Sequence, residues 1–255
     1  MNDSITDKQS REIIAELAEI LPLALERRVT PPPNSPLGFP DDAGRRRRWD
    51  PVFTGGGIVG LLITDPAAPQ PSQTKDVDLV LEIAGYAEFV EMEEMLRKVG
   101  FTRKWLENLP VVAWYWKGVR VDFLPHRSMK LMPANSWFPV LLDEAEHVEV
   151  ISGKFAWRAS APCFVATKIE AFYSRGQGDY LRSKDLEDIV AVIDGRAEIL
   201  DEINISSHDV RGFVSQSCRQ LLADERFMEC LPQMVIDDQR EAVVADRLLR
   251  IGRAR

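Results

Sequence analysis

The sequence predicts an α/β (α+β) fold in two parts, with an α/β domain at residues 1–160 and a helical domain at residues 161–255. In the first part, short apolar runs typical of strands alternate with longer segments whose apolar residues recur every three or four positions. From Cys163 onward only the helical pattern remains. The 255 residues, 45% of them hydrophobic, can bury a sizeable core in one domain or in two small ones.

The chain opens with an amphipathic helix, predicted over Lys8–Leu25 from its apolar spacing. Prolines and four consecutive arginines predict a surface loop at Arg28–Asp50, which could close over a substrate. Pro51–Thr54 is predicted to be a strand, and the three glycines at 55–57 are predicted to form a turn. The turn leads into a helix that begins at Ile58–Ile63.

The central part of the chain is predicted to hold most of the strands. Asp76–Ile83 alternates acids with apolar residues, and the helix at Ala87–Val99 ends at Gly100. Three further strands are predicted at Phe101–Trp105, Val111–Trp116 and Val119–Leu124. Their alternating aromatic residues, Trp114 and Trp116 among them, indicate core packing, with stacking of a base as the alternative. The predicted C-terminal helices are Phe164–Tyr173, Ser183–Ile193, Arg196–Ile203, His208–Leu222 and Ile236–Ile251.

Charge and cysteine content narrow the class of protein. The net charge of -8 argues mildly against broad, nonspecific nucleic-acid binding, although Arg45–Arg48 is a local basic run. Cys163, Cys218 and Cys230 lack the spacing of a disulfide framework or a zinc site. No apolar run reaches the roughly 18 to 20 residues that cross a bilayer, and the N-terminus lacks a signal-peptide pattern. We therefore expect a cytoplasmic protein without a membrane partner.

Three acids and a glycine turn carry the chemical prediction. Asp76 and Asp78 stand two apart on one strand, so both point to the same face, and Asp122 lies in a later strand. Carboxylates converging on one face suit Mg²⁺, which assists the attack of a hydroxyl on a nucleoside triphosphate. Gly55 and Gly56 would offer backbone N–H groups to the phosphates. Taken separately, the acids are typical of a solvated strand edge and the glycines of an ordinary turn. Their combination in this order favours a metal-dependent active site.

The order of these motifs resembles the signature of the nucleotidyltransferase superfamily, which has a Gly-Gly turn, an acid-hydrophobic-acid strand and a third acid on a later strand. The matching residues are Gly55-Gly56, Asp76-Val77-Asp78 and Val121-Asp122. The resemblance covers roughly residues 53–193 and implies a mixed sheet flanked by helices, with a helical C-terminal region. Thr74–Leu79 also resembles the Thr-x-Asp-hydrophobic-Asp of the AbiEii-type branch, a group of nucleotidyltransferase toxins from toxin-antitoxin systems.

The resemblance extends to a helical lysine and a later acidic helix. It implies that Lys168 contacts the triphosphate, a role that suits a compact ammonium group. Asp185 would orient the substrate or pair with Lys168, and Asp188 would pair with a basic neighbour. The nucleotide-binding residues implied are therefore Gly55, Gly56, Lys168 and Asp185.

The predicted function is Mg²⁺-dependent transfer of a nucleoside monophosphate from a triphosphate such as ATP to an acceptor hydroxyl. Asp76 and Asp78 would hold the metal. Asp122 would either bind the metal with them or take the proton of the acceptor hydroxyl group. The resemblance makes a tRNA end the first expected acceptor and an antitoxin protein a further expected partner. The alternatives are an enzyme that modifies a small molecule of the aminoglycoside type and a non-catalytic nucleotide-binding protein. The donor base and the oligomeric state stay open.

Overall fold

The computed structural model describes residues 4–26, 46–105, 112–129, 133–175 and 179–254. Most of the loop predicted at residues 28–50 therefore lies outside the described residues. The helices are α1 Asp7–Glu26, α2 Val59–Leu62, α3 Tyr86–Val99, α4 Phe138–Asp143, α5 Ala161–Arg175, α6 Lys184–Gly195, α7 Ile199–Ile205, α8 His208–Ala223, α9 Glu225–Met234 and α10 Asp238–Gly252. The strands are β1 Val52–Thr54, β2 Asp76–Leu81, β3 Thr102–Trp105, β4 Val112–Trp116, β5 Val119–Pro125, β6 Glu146–Ile151 and β7 Lys154–Arg158.

The predicted fold class is confirmed, since the described residues form a mixed α/β structure with a helical C-terminal region. Seven strands in these ranges form one sheet in the order β3-β4-β5-β2-β1-β7-β6. The pairs β1–β7 and β2–β5 are parallel, and the other neighbouring pairs are antiparallel. The sheet therefore mixes both orientations, as the resemblance implied.

The chain divides into two compact units. Unit 1 consists of Met1–Gly57, Gln73–Ala134 and Ala145–Arg158, and it contains the whole sheet together with α1 and α3. Unit 2 consists of Ile58–Ser72, Asn135–Glu144 and Ala159–Arg255, and it contains α2 and α4–α10. Each unit thus collects segments that are distant in the sequence.

Helix α1 and the sheet form the core of unit 1. Ile14, Leu17 and Leu21 of α1 are fully buried, and the helix packs against β6 and β7. Trp114 and Trp116 are also buried and contact the ring of Phe101, with centroid distances of 6.5 and 4.9 Å. These contacts confirm the core-packing interpretation of the two tryptophans.

Helices α5, α6, α8 and α10 pack together in unit 2. Phe164, Phe172 and Ile193 are almost completely buried, so this unit has an apolar core of its own. In the described part of the chain, none of the helices combines the length and apolar character needed to cross a bilayer.

The β6–β7 hairpin and helices α4 and α9 are not predicted by the sequence pattern. Strand β6 carries polar residues at Glu146, His147 and Glu149 and lies at the sheet edge, so its apolar signal is weak. Helix α4 has only six residues, and α9 contains Pro232, which argues against a helix in a sequence pattern. Packing against the rest of each unit stabilises these elements despite their weak local signals.

Candidate functional site

The three predicted acids meet on one face of the sheet, and we call Asp76, Asp78 and Asp122 the acid cluster. Strands β2 and β5 pair in parallel, and the register sets Asp78 beside Asp122. Val77 and Val121, which alternate with these acids, are fully buried on the opposite face. Register partners in a sheet point to the same side, so the pairing of β2 with β5 aligns the acids.

Gly55 lies directly against the acid cluster. Thr54 of β1 is the register partner of Asp78, and the chain then turns at Gly55 with a φ of +69°. A Cβ atom on Gly55 would lie 1.9 Å from Oδ2 and 2.9 Å from Cβ of Asp78. Both the positive φ and the missing side chain are therefore required for Asp78 to sit where it does.

The steric surroundings of Gly57, in the same turn, differ from those of Gly55. Gly56 begins a short 3-10 turn over Gly56–Ile58 that precedes α2. A Cβ on Gly57 would lie 3.6 Å from the carbonyl oxygen of Asp76, which is an ordinary van der Waals contact. The steric requirement for glycine is therefore severe at Gly55 and mild at Gly57.

Thr74 orients Asp76 at the start of β2. Its hydroxyl group donates a hydrogen bond to Oδ1 of Asp76 over 3.2 Å. The backbone of Thr74 pairs with Ile5 in an antiparallel bridge, with N–O distances of 2.7 and 3.3 Å. The segment before α1 thus holds the first acid of the cluster in place.

Arg120 is a member of this site that the sequence analysis missed. It is the register partner of Asp76 and precedes Asp122 by two residues in β5. Its Nε donates to Oδ1 of Asp122 over 2.8 Å, and its Nη2 donates to Oδ2 of the same carboxylate. Its Nη1 lies 3.7 Å from Oδ2 of Asp76. The signal was present in the sequence, because residues two apart on a strand share a face.

The pKa values reflect this arrangement. Burial raises the pKa of the Asp122 carboxyl group, the hydrogen bonds and the charge of Arg120 lower it, and the charge of Asp76 raises it further. Burial lowers the pKa of Arg120, but its hydrogen bond to Asp122 and the charges of the three acids outweigh that effect, and the pKa is raised. The net effect is a raised pKa for Asp122, with burial as the largest cause.

The acid cluster has the right donor chemistry for a hard divalent cation. Magnesium prefers oxygen ligands, and carboxylates supply them. Within the described ranges, no three His, Cys, Asp or Glu side chains are already grouped closely enough to hold a metal ion. Arg120 provides the cation in this structure, so a metal would have to share or replace its contacts with Asp76 and Asp122.

Lys168 and Asp185 lie in unit 2 and contact each other. The Nζ atom of Lys168 is 3.2 Å from Oδ1 of Asp185 and 2.7 Å from Oδ2 of Asp188. All three side chains are at least 89% buried, and Lys184 approaches Asp188 at 3.8 Å. This ion triad joins α5 to α6. The role of Lys168 and Asp185 in nucleotide binding stays a prediction.

Comparisons with known proteins add only a general likeness. No protein-family model matches the chain, and no curated protein matches it. A solved structure that it resembles is an antigenic nucleotidyltransferase-like protein from Paracoccidioides brasiliensis, with 17% identity and a TM-score of 0.48 over 89% of this chain and 95% of that chain. This similarity is too low to decide the function of the chain.

Proposed function

We propose that this protein is a Mg²⁺-dependent nucleotidyltransferase, which moves a nucleoside monophosphate from a triphosphate to an acceptor hydroxyl group and releases pyrophosphate. The observation that carries the proposal is the alignment of Asp76, Asp78 and Asp122 on one sheet face beside the turn at Gly55. A structural role explains this arrangement poorly, because three neighbouring carboxylates repel one another and cost folding free energy.

The acid cluster would hold the metal. Magnesium bound there would neutralise phosphate charge and lower the pKa of the attacking hydroxyl group. Thr74 fixes the orientation of Asp76, and the turn at Gly55 fixes the space available to Asp78. These contacts preorganise the carboxylates of Asp76 and Asp78, so these two groups would need little reorganisation when the substrate binds.

Asp122 is the best candidate to accept the proton of the acceptor hydroxyl group. Efficient proton transfer requires a pKa close to the working pH, and burial shifts the pKa of Asp122 in that direction. Gly55 and Gly56 would present backbone N–H groups to the phosphates, since neither has a side chain that blocks their approach. The assignment does not depend on Lys168.

Transfer can be tested with the purified chain, Mg²⁺ and each α-labelled nucleoside triphosphate in turn. Total cellular RNA is the acceptor in one arm and an aminoglycoside mixture is the acceptor in another. Label on a tRNA-sized band of a denaturing gel would support the RNA acceptor that the AbiEii-type resemblance implies. Label on the aminoglycoside would support the small-molecule alternative. Nucleotide binding without transfer in either arm would contradict the enzyme proposal and favour a non-catalytic binding protein.

Asp76→Asn and Asp78→Asn test the residues that we assign. We expect each variant to lower transfer by about 100-fold or more, because the metal would lose a charged ligand. Glu91→Gln is the matched control, since it neutralises an exposed carboxylate on α3 of the same unit. Full transfer by the Asp76→Asn/Asp78→Asn double variant would overturn the site assignment.

A further inference from the structure

Arg120 occupies the part of the acid cluster that a metal would need. Its guanidinium group contacts both carboxylate oxygens of Asp122 and lies 3.7 Å from Oδ2 of Asp76. The charge of Asp78 also acts on Arg120. The arginine side chain is 34% exposed, so it has room to leave the carboxylates without breaking the core.

An arginine at this position differs from an ordinary surface ion pair. Its charge is permanent, and its planar fork matches the two oxygens of one carboxylate. It therefore supplies in the free protein the positive charge that three converging acids require. The same oxygen atoms cannot serve the fork of Arg120 and the coordination sphere of a magnesium ion at full strength.

We propose that Arg120 is a built-in counter-ion that competes with the divalent metal for Asp76 and Asp122. The metal binds when the guanidinium group withdraws, so Arg120 lowers the affinity of the free protein for metal and stabilises the protein in its absence. Arg120 is thus a positioning residue that decides when the acids become available. This inference rests on the proposed function in one respect, which is that the acid cluster is the metal site.

A released guanidinium group can also bind phosphate. Arginine pairs with phosphate oxygens through the same two-pronged contact that it makes with a carboxylate. A triphosphate arriving at the cluster would draw Arg120 away from Asp122 and free the metal ligands at the same time. Metal and nucleotide are therefore expected to strengthen each other's binding, and part of that coupling depends on Arg120.

The experiment measures Mn²⁺ binding without nucleotide by electron paramagnetic resonance, which reports the free ion directly. Arg120→Met removes the competing charge, and we expect it to bind Mn²⁺ about tenfold or more tightly than the wild type, as removal of a unit charge at contact distance implies. Arg120→Lys keeps the charge but loses the fork and should fall between the two. Arg103→Met is the matched control, because Arg103 lies on β3 of the same sheet and pairs with Glu93 outside the cluster.

Melting temperatures provide a second measurement on the same proteins. In EDTA, Arg120→Met should melt below the wild type and below Arg103→Met, and saturating Mn²⁺ should reverse most of that loss. If Arg120→Met does not fold without metal, the Mn²⁺ affinity of Arg120→Lys and the refolding of Arg120→Met in Mn²⁺ still test whether Arg120 competes with the metal. Equal or weaker Mn²⁺ binding by both Arg120 variants would overturn the competition.

The two proposals can fail separately. Unchanged Mn²⁺ affinity in the Arg120 variants, with normal transfer by the wild type, would remove the counter-ion role and leave the function intact. Tighter Mn²⁺ binding in Arg120→Met, abolished again by Asp76→Asn but without transfer by any protein, would keep the counter-ion role and remove the function.

Discussion

Gly55→Ala is the substitution whose effect the structure defines most sharply. A Cβ at this position would lie 1.9 Å from Oδ2, 2.7 Å from Cγ and 2.9 Å from Cβ of Asp78. Rotation of the carboxylate can clear the first two contacts but not the third, because Cβ of Asp78 is attached to the β2 backbone. The left-handed φ of +69° costs an alanine about 1–2 kcal/mol, and the forced shift costs about 1–3 kcal/mol more. We expect a total loss of about 2–5 kcal/mol in the free energy of unfolding.

Urea unfolding followed by tryptophan fluorescence measures this loss, with Gly57→Ala as the matched control. The control adds the same methyl group two residues later, where the nearest atom is 3.6 Å away, and should change stability by about 0.5 kcal/mol or less. A second Gly55→Ala variant in an Asp78→Gly background, which removes Cβ of residue 78, should recover the part due to the forced shift and retain the part due to φ. Equal unfolding midpoints for Gly55→Ala and Gly57→Ala would refute the steric argument.

Three further predictions concern charge. Hydrogen bonds from Lys117 and Trp116 lower the pKa of Glu16. Glu16 therefore contributes stability to the folded protein above its ordinary pKa of 4.5, and this contribution is lost as the pH falls through the lowered pKa. The difference in urea midpoint between wild type and Glu16→Gln should shrink from pH 7 to pH 3. Burial raises the pKa of Asp122, so its ionised form destabilises the folded protein at pH 7.5. Asp122→Asn should therefore raise the melting temperature at pH 7.5, although Mn²⁺ binding is lost. This gain in melting temperature should fade as the pH drops toward the ordinary value of 3.8. Lys168→Met should cost about 3–5 kcal/mol in urea unfolding because it removes the buried cation that contacts both Asp185 and Asp188. Lys184→Met, with a side chain 43% exposed, should cost less than about 1 kcal/mol, and equal losses would contradict the buried-triad argument.

Much of the local structure could be predicted because it depends on short-range spacing. The apolar periodicity of α1 and the alternation in β2 are properties of neighbouring residues, and both elements lie where the sequence predicted them. Gly100 caps α3 with a left-handed φ of 109°, as its position after Val99 implied. The edge hairpin β6–β7 lacked such a signal, since its stability comes from pairing with β1 and packing against α1.

The sequence by itself determined that Asp76 and Asp78 share a face, because the side-chain period of a strand is two. Only the tertiary structure decided that Asp122 and Arg120 join them, since the register of β2 with β5 depends on pairing between segments about forty residues apart. The same holds for the triad in unit 2, where the packing of α5 on α6 places Lys168 between Asp185 and Asp188. The local sequence determines which ionisable groups are present, but long-range packing determines which partner shifts the charge and pKa of each group.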